Sequence, residues 1–153
     1  MKFKNPIDLL WSENGASLIE LAITLPLLLL LLMGAVDFGR AYYLAVEIAG
    51  AASAGAEYGV TNPTDTAGMK TAAQDDAPNV PSLSVTTPTY GCECSDGTGY
   101  SASCTSAPTS CTYNVVYKVT VTVSATYTPL VPWPHVPSSL TMTNTAEMRS
   151  GKT

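Results

Sequence analysis

Few side chains of this sequence could do chemistry, and their spacing assembles no catalytic site. The single histidine, His135, lies between two prolines at positions 134 and 137. A catalytic triad or a histidine-based metal site would need partner residues at recognisable positions, and the sequence offers none. Asp75-Asp76 is a carboxylate pair at the end of a short helical pattern, which is typical of a solvated surface. We therefore expect no enzyme, no cofactor and no metal site.

One carboxylate is distinguished by its position in the chain. Glu20 is followed by an apolar stretch that carries no charge until Asp37. From Ala16 to Val36 the stretch is about 21 residues long, or roughly 31 Å of helix, which matches a bilayer core of about 30 Å. A carboxylate at the mouth of this transmembrane helix costs on the order of 3 kcal/mol, so Glu20 is a candidate functional residue. The alternative is that Glu20 lies at the interface and reaches water.

The residues that flank the span predict its orientation. Lys2 and Lys4 precede it, and after Arg40 the next cation is Lys70. Positive residues favour the cytoplasmic side, so we expect the N-terminus inside and the C-terminal region outside. The apolar core is too long, and the nearest small-x-small site too far downstream, for a conventional signal peptide.

All four cysteines lie beyond the span, between positions 92 and 111. An even number of cysteines on that side favours disulfides formed in an oxidising compartment. A Cys92–Cys94 bond would close a very small, strained ring, so each of these two is expected to pair with Cys104 or Cys111. A zinc site is the competing interpretation, but the segment lacks a C-x₂-C pair and a nearby histidine.

The helical pattern continues past the span. Pro26 can kink the membrane half, and Gly59 followed by Pro63 provides a C-terminal stop. Residues suited to helix packing recur at three- and four-residue spacing beyond the span: they are Ala41, Leu44, Ile48, Ala52 and Gly55. This surface either packs only on the chain's own domain or also packs against copies of the helix, and the sequence leaves both open.

The remaining patterns predict a short helix and a small sheet. A helix is expected over residues 64–77 and a short strand over residues 83–87. Strict alternation over residues 113–127 predicts a half-buried strand, long enough to need a bend or a bulge. A proline-rich loop over residues 129–137 is followed by a closing strand over residues 140–148, antiparallel to the long one.

Length and charge limit what this chain can be. Its 153 residues can hold the span and one small domain of about 90 residues. Charged residues make up 12%, and the net charge of −5 gives no basis for binding nucleic acid. The proline-rich loop carries Trp133, which is either an exposed contact point or a cap on the core.

Together these patterns predict an α+β fold. A long N-terminal transmembrane helix continues as an extracytoplasmic spine and packs against a small antiparallel β-sheet, because each has one apolar face to bury. A disulfide-bonded loop covers residues 90–112. The expected segments are a cytoplasmic leader, 1–15, the membrane half of the helix, 16–36, its outer half, 37–60, and a globular domain, 61–153.

The start of the span resembles the processing site of type IV prepilins, in which a membrane-embedded peptidase cuts after a glycine and glutamate is the fifth mature residue. Here Gly15 is followed by Ala-Ser-Leu-Ile-Glu. The longer stretch 15–58, with Glu-Leu-Ala-x-x-Leu-Pro and Asp-Phe-Gly-Arg-Ala-Tyr-Tyr, resembles the TadE family of pilin-like proteins from tight-adherence (Flp) pilus systems. Tyr-Thr-Pro-Leu at 127–130 and Ala-Glu-Met-Arg at 146–149 resemble the close of that family.

The resemblance implies a pilin-like minor pilin or pseudopilin in the bacterial inner membrane. Cleavage after Gly15 by the prepilin peptidase would make Ala16 the new N-terminus, and Glu20 of a neighbouring subunit would neutralise its ammonium group within the lipid. The implied partners are the bilayer, other pilin or pseudopilin subunits and the inner-membrane assembly platform. One alternative is an uncleaved, membrane-anchored exported binding domain. A less favoured one is the major subunit of a filament.

Overall fold

The computed structural model describes residues 13–104, 111 and 114–151, with side chains from residue 17 onward. The chain divides into two compact units, Met1–Arg40 and Ala41–Thr153. Two helices and four strands are assigned in the described part: α1 (Glu13–Thr61), α2 (Thr66–Asp76), β1 (Ser84–Val85), β2 (Thr89–Cys94), β3 (Val115–Tyr127) and β4 (Leu140–Ser150).

Helix α1 has 49 residues and continues through Pro26. It ends at Thr61 rather than at Gly59, so the predicted stop was wrong by two residues. A Cβ on Gly59 would lie 2.9 Å from the Met69 Cε and 3.1 Å from a Val119 methyl carbon. Gly59 therefore serves close packing inside the helix, and the chain leaves the helix just before Pro63, which cannot continue it.

Helix α2 begins later than its sequence pattern suggests, because Asp65 caps it. The Asp65 carboxylate accepts a hydrogen bond from the Gly68 N–H at 2.9 Å. It accepts a second from the Tyr58 hydroxyl of α1 at 2.8 Å. Carboxylates at this position satisfy backbone donors that have no partner within the helix. The cap therefore fixes both the start of α2 and its attachment to α1.

Strand β3 is the centre of an antiparallel sheet. Strand β4 pairs along one edge of it, from Tyr117↔Ser150 to Tyr127↔Leu140. Because β4 occupies that edge throughout, β2 and β1 share the other edge, β2 against the first half of β3 and β1 at Val123 and Ser124. The long strand and its antiparallel partner are confirmed. Tyr113, included in the predicted strand, lies outside the described residues.

Two details of the sheet differ from the prediction. A bend or a bulge was expected in β3. Register with β4 is continuous over the paired part of β3, so a bulge is absent from those residues. Strand β2 occupies Thr89–Cys94 and so takes up the first five residues of the loop predicted over 90–112, and the strand predicted over 83–87 shortens to Ser84–Val85. Since β2 holds a glycine and two cysteines in six residues, it lacks the β-branched alternation on which strand prediction depends.

The core lies between the outer half of α1, α2 and one face of the sheet. Alternate residues of β3 are buried from Val119 to Tyr127, as the alternation predicts. The buried apolar cluster also contains residues from both helices, from the segment between α2 and β1, and from β1: Ile48, Ala51, Ala52, Ala56, Met69, Ala73, Ala77, Val80 and Val85. A long apolar helix, a small antiparallel sheet and two disulfides confirm the α+β, pilin-like fold.

Candidate functional site

The first half of α1 presents apolar side chains to its surroundings on every face. All six leucines from Leu27 to Leu32 are more than half exposed. The most apolar 18-residue window of the helix has a mean hydropathy of 2.4 and no buried residue. A helix that is apolar all round is stable only inside a larger core or in lipid. By length and composition α1 can cross a membrane once, which fits a single-pass anchor.

The candidate processing residues lie near the first described residue of α1. The described residues begin at Glu13, and the backbone is helical from there through Gly15 and Ala16. The Gly15–Ala16 bond, where cleavage is predicted, therefore lies on helical backbone that leads directly into the apolar stretch.

Glu20 lies one turn further along and is exposed. Its backbone carbonyl accepts a hydrogen bond from the Thr24 hydroxyl at 2.9 Å. The ion pairs recorded among the described residues join Asp37 to Arg40, Glu93 to Arg149 and Glu147 to Lys118, and none includes Glu20. In lipid, a carboxylate so placed needs a proton, a cation or a path to water.

The residues predicted to pack α1 are divided by the structure into two groups. Ile48, Ala52 and Gly55 are buried in unit 2, whereas Ala41 and Leu44 are half-buried. A Cβ on Gly55 would lie 2.8 Å from the Met69 carbonyl oxygen and 3.1 Å from a Val121 methyl carbon. This surface is thus occupied by the chain's own α2 and sheet. Pro26 is exposed and belongs to the apolar half.

Two disulfides close the cysteine segment. Cys92 is bonded to Cys104 and Cys94 to Cys111, so the two rings overlap along the chain. The competing interpretation of these cysteines as a zinc site is therefore wrong, because disulfide sulfurs are not available as thiolate ligands. Between Cys92 and Ser101, two backbone hydrogen bonds of 2.7 Å tie the loop back onto β2. Gly91 makes room for that return, since a Cβ there would lie 2.6 Å from the Ser101 carbonyl oxygen.

A charge cluster that the sequence did not reveal lies on the sheet face opposite α1. The Glu93 side chain is only 4% exposed and accepts a hydrogen bond from the Arg149 Nε at 2.5 Å. Lys118 pairs with Glu147 at 2.9 Å, which raises the pKa of the lysine, and lies 5.9 Å from the Tyr100 ring centre. The available signal was a glutamate between two cysteines, a position that the structure places in β2.

The other residues with chemical potential stay apart. Asp75 and Asp76 lie exposed at the end of α2. His135 is exposed in the β3–β4 loop with a φ of 66°. Among the residues that the structure describes, no group of three or more histidine, cysteine, aspartate or glutamate side chains could hold a metal ion. The arrangement is that of an anchoring helix with a cross-linked domain.

Comparison with known proteins matches part of the chain to a family model. No curated protein and no solved structure matches the chain. The family model described as TadE-like protein matches residues 15–57, which begin at Gly15 and include Glu20, the apolar half of α1 and most of its packed half. The resemblance noted in the sequence is confirmed over this segment, and residues 15–57 of the chain are similar to TadE-like proteins.

Proposed function

We propose that this protein is a minor pilin or pseudopilin of a tight-adherence pilus. The observation that carries the proposal is the TadE-like match over residues 15–57, because that segment unites the glycine, the glutamate and the apolar helix. TadE-like proteins are associated with tight-adherence pilus systems, and the role is structural rather than catalytic.

In this proposal the chain starts as a single-pass inner-membrane protein. The N-terminal head is cytoplasmic, and unit 2 lies in the periplasm or outside the cell, where its two disulfides can form. The prepilin peptidase cuts after Gly15, and Ala16 becomes the N-terminus of α1. The cleaved subunit then meets the assembly platform and enters a pilus, or its tip, through that helix.

Charge pairing supplies the driving force for incorporation. Cleavage creates an ammonium group on Ala16 at the start of the apolar helix, and Glu20 supplies a carboxylate one turn away along the sequence. Each charge alone is expensive in lipid, whereas a pair formed between neighbouring subunits offsets much of that cost. Subunits whose helices pack side by side are thereby favoured over isolated ones.

Replacing Glu20 by alanine tests this mechanism in cells. We expect Glu20→Ala to insert in the membrane and be cleaved normally, but to enter pili at least about tenfold less, since one unpaired charge costs on the order of 3 kcal/mol. Glu20→Asp is the matched control, because it keeps the charge and should restore much of the assembly. Quantitative immunoblots of membrane and sheared-pilus fractions measure both, and unaltered piliation in Glu20→Ala would remove the charge-pairing mechanism.

An uncleaved, membrane-anchored binding domain is the competing function. The cysteine loop and the charge cluster beside it give that alternative a defined surface, held by two disulfides. Mass spectrometry of the N-terminus of membrane-purified protein separates the two functions. A chain that begins at Ala16 supports the function as a pilus subunit. A chain that still begins at Met1 in cells with an active prepilin peptidase contradicts that function.

A further inference from the structure

The loop between β3 and β4, residues 128–139, is apolar and exposed. We call it the apolar loop. Leu130 is 64% exposed and Val136 is 50% exposed, and Leu140 at the start of β4 is 48% exposed. From Val119 to Ala146 the chain contains no Asp, Glu, Lys or Arg. Elsewhere the sheet carries charges, so this end of unit 2 differs from the rest of its surface.

The backbone of the apolar loop is also poor in polar donors. Prolines at positions 129, 132, 134 and 137 have no N–H group. Moving a backbone donor from water into an apolar medium without a partner costs several kcal/mol on hydrocarbon scales, and these four residues avoid that cost. Trp133 in the same loop is half-buried. Tryptophan is enriched where a protein meets the headgroup region of a bilayer.

The position of the apolar loop within unit 2 follows from the packing of α1 on β3. Gly55 lies against Val121 and Gly59 against Val119, so the helix and the strand run in opposite directions. From Gly55 back to Ala41 the helix advances about 21 Å. From Val121 forward to Tyr127 the strand advances about 20 Å. The apolar loop, which follows Tyr127, therefore lies at the end of unit 2 that contains Ala41.

That end of the unit is tied to the predicted membrane span. Ala41 follows Val36 by five positions, about 8 Å of helix, and the headgroup region on each side of a bilayer is about 5–8 Å thick. The α1 residues nearest this end also expose aromatic rings, since Tyr42 is 65% and Tyr43 is 53% exposed. Tyrosine, like tryptophan, is enriched at that depth.

We propose that the apolar loop inserts into the outer headgroup region of the bilayer in which α1 is anchored. The lipid surface is the occupant that fits a proline-rich loop without Asp, Glu, Lys or Arg, at the end of unit 2 from which the chain continues directly into the predicted span. Leu130, Trp133 and Val136 make the contact. The inference rests on the membrane anchor of the proposed function, but not on cleavage after Gly15 or on assembly into a pilus.

Depth-dependent quenching of Trp133 tests the contact. The full chain carrying Trp11→Phe, so that Trp133 is its one tryptophan, is reconstituted in phosphatidylethanolamine–phosphatidylglycerol vesicles with lipids brominated near the headgroup or near the chain end. We expect shallow bromines to remove about half of the Trp133 emission and deep bromines to remove much less, because the loop lies at headgroup depth. Equal, negligible quenching by both lipids would overturn the proposal.

Charged substitutions provide the matched comparison. Leu130→Asp with Val136→Asp should reduce the shallow quenching of Trp133 to near background. Thr143→Asp with Thr145→Asp adds the same charge at exposed positions of β4 outside the loop and should leave the quenching unchanged. Quenching that survives the loop charges would contradict insertion. Trp133 emission that shifts with protein density rather than with brominated lipid would instead assign the loop to a second copy of the chain and also overturn the proposal.

A second reporter separates failure of the loop from failure of the anchor. Leu30→Trp, in a chain with Trp11→Phe and Trp133→Phe, places a tryptophan in the middle of the apolar half of α1. Deep quenching at position 30 without quenching of Trp133 would keep the anchor and overturn the loop contact. Without quenching at either position, the anchor of the proposed function and the loop contact would both be overturned.

Discussion

At the scale of single residues, the two ion pairs on the outer sheet face differ in burial and should therefore differ in weight. Glu93 is nearly inaccessible, at 4% exposure, while its partner Arg149 is 54% exposed. In the second pair Glu147 is 53% and Lys118 25% exposed. Losing the partner of a buried charge leaves that charge without compensation, whereas an exposed charge regains water. Losing the partner of Glu93 should therefore destabilise unit 2 more than losing either member of the Lys118–Glu147 pair.

We predict that Arg149→Ala destabilises unit 2 by roughly 2 kcal/mol, below the 3–5 kcal/mol of a fully buried pair because Arg149 is partly in water. The physical reason is that the Glu93 carboxylate, which is only 4% exposed, would be left without its partner. Denaturant unfolding of the full chain in detergent, with disulfides intact, measures the loss.

The exposed pair gives the control for this prediction. Glu147→Ala removes a glutamate from the neighbouring pair and should change the denaturation midpoint far less. Glu93→Gln combined with Arg149→Ala should recover part of the stability, since no buried charge is then left alone. Equal losses for Arg149→Ala and Glu147→Ala would show that burial of Glu93 does not set the cost.

Asp65 should make the stability of unit 2 depend on pH. Hydrogen bonds from the Gly68 N–H and then from the Tyr58 hydroxyl hold the pKa of Asp65 below its ordinary value of 3.8. A carboxyl whose pKa is lowered by folding stabilises the fold above its ordinary pKa, and this contribution disappears as pH falls through the lowered value. Asp65→Asn keeps an acceptor at the cap but cannot titrate.

The expected result is a melting temperature that is higher for the wild type than for Asp65→Asn near pH 6, with a difference that shrinks as the pH falls below about 4. Thermal unfolding of the full chain followed by circular dichroism across that range measures it. Asp65→Ala, which removes the cap as well, should lower the melting temperature further at every pH. A pH-independent gap between wild type and Asp65→Asn would refute the assignment.

At the scale of elements, close contact decides where α1 ends and how near it lies to the sheet. The sequence presents Gly55 and Gly59 as small residues in an Ala-rich helix, and spacing alone predicts which face they occupy. The sequence does not predict that Gly59 lies inside the helix at a close contact instead of ending the helix. That role depends on Met69 and Val119, which lie elsewhere in the chain. Strand β2 was not predicted for a similar reason. Its residues have a weak intrinsic preference for strand, and its pairing with β3 outweighs that preference.

Gly55→Ala should therefore act against the usual preference for alanine in helices. In an open helix position glycine is about 0.5–1 kcal/mol worse than alanine. At Gly55 the new methyl would meet the Met69 carbonyl at 2.8 Å, so we expect a net destabilisation of about 1–3 kcal/mol from overpacking.

Gly39→Ala is the matched comparison, because a Cβ at Gly39 meets nothing within 4 Å. It should leave the stability of unit 2 unchanged or slightly increased. Chemical denaturation of both variants in the same detergent gives the two values. The same sign for both would mean that the backbone of α1 does not approach α2 as closely as the contact at Gly55 requires.

At the scale of the whole molecule, most of the architecture could be predicted from two periodicities. The charge-free run before Asp37 predicts the apolar half of α1, and alternation up to Tyr127 predicts β3 and its buried face. Only part of the candidate functional site could be predicted from the sequence. Gly15, Glu20 and the cysteines can be found by type and spacing, but the Glu93–Arg149 contact joins residues 56 positions apart and depends on sheet register.

The boundary between the two units leads to a prediction for the molecule as a whole. The buried cluster of unit 2 draws on α1 from Ile48 to Ala56, on α2 and on the sheet, all of them within Ala41–Thr153. Both disulfides also lie within this range. A chain that starts at Ala41 keeps every residue of that core and both cross-links, and it loses the apolar half of α1. We therefore predict that residues 41–153, exported to an oxidising compartment, fold as a soluble domain.

The melting temperature of this fragment should lie within about 5 °C of that of unit 2 in the full chain. The reason is that the shortened helix loses order only in its new first turn, which frays. Circular dichroism gives the melting temperature, and peptide mapping without reduction should recover the Cys92–Cys104 and Cys94–Cys111 links. A shorter fragment that starts at residue 57 should not fold, because it lacks the α1 residues Ile48, Ala52 and Ala56 of the core. An unfolded fragment 41–153 would mean that the stability of unit 2 depends on the apolar half of α1, and that the anchor contributes to the fold as well as to attachment.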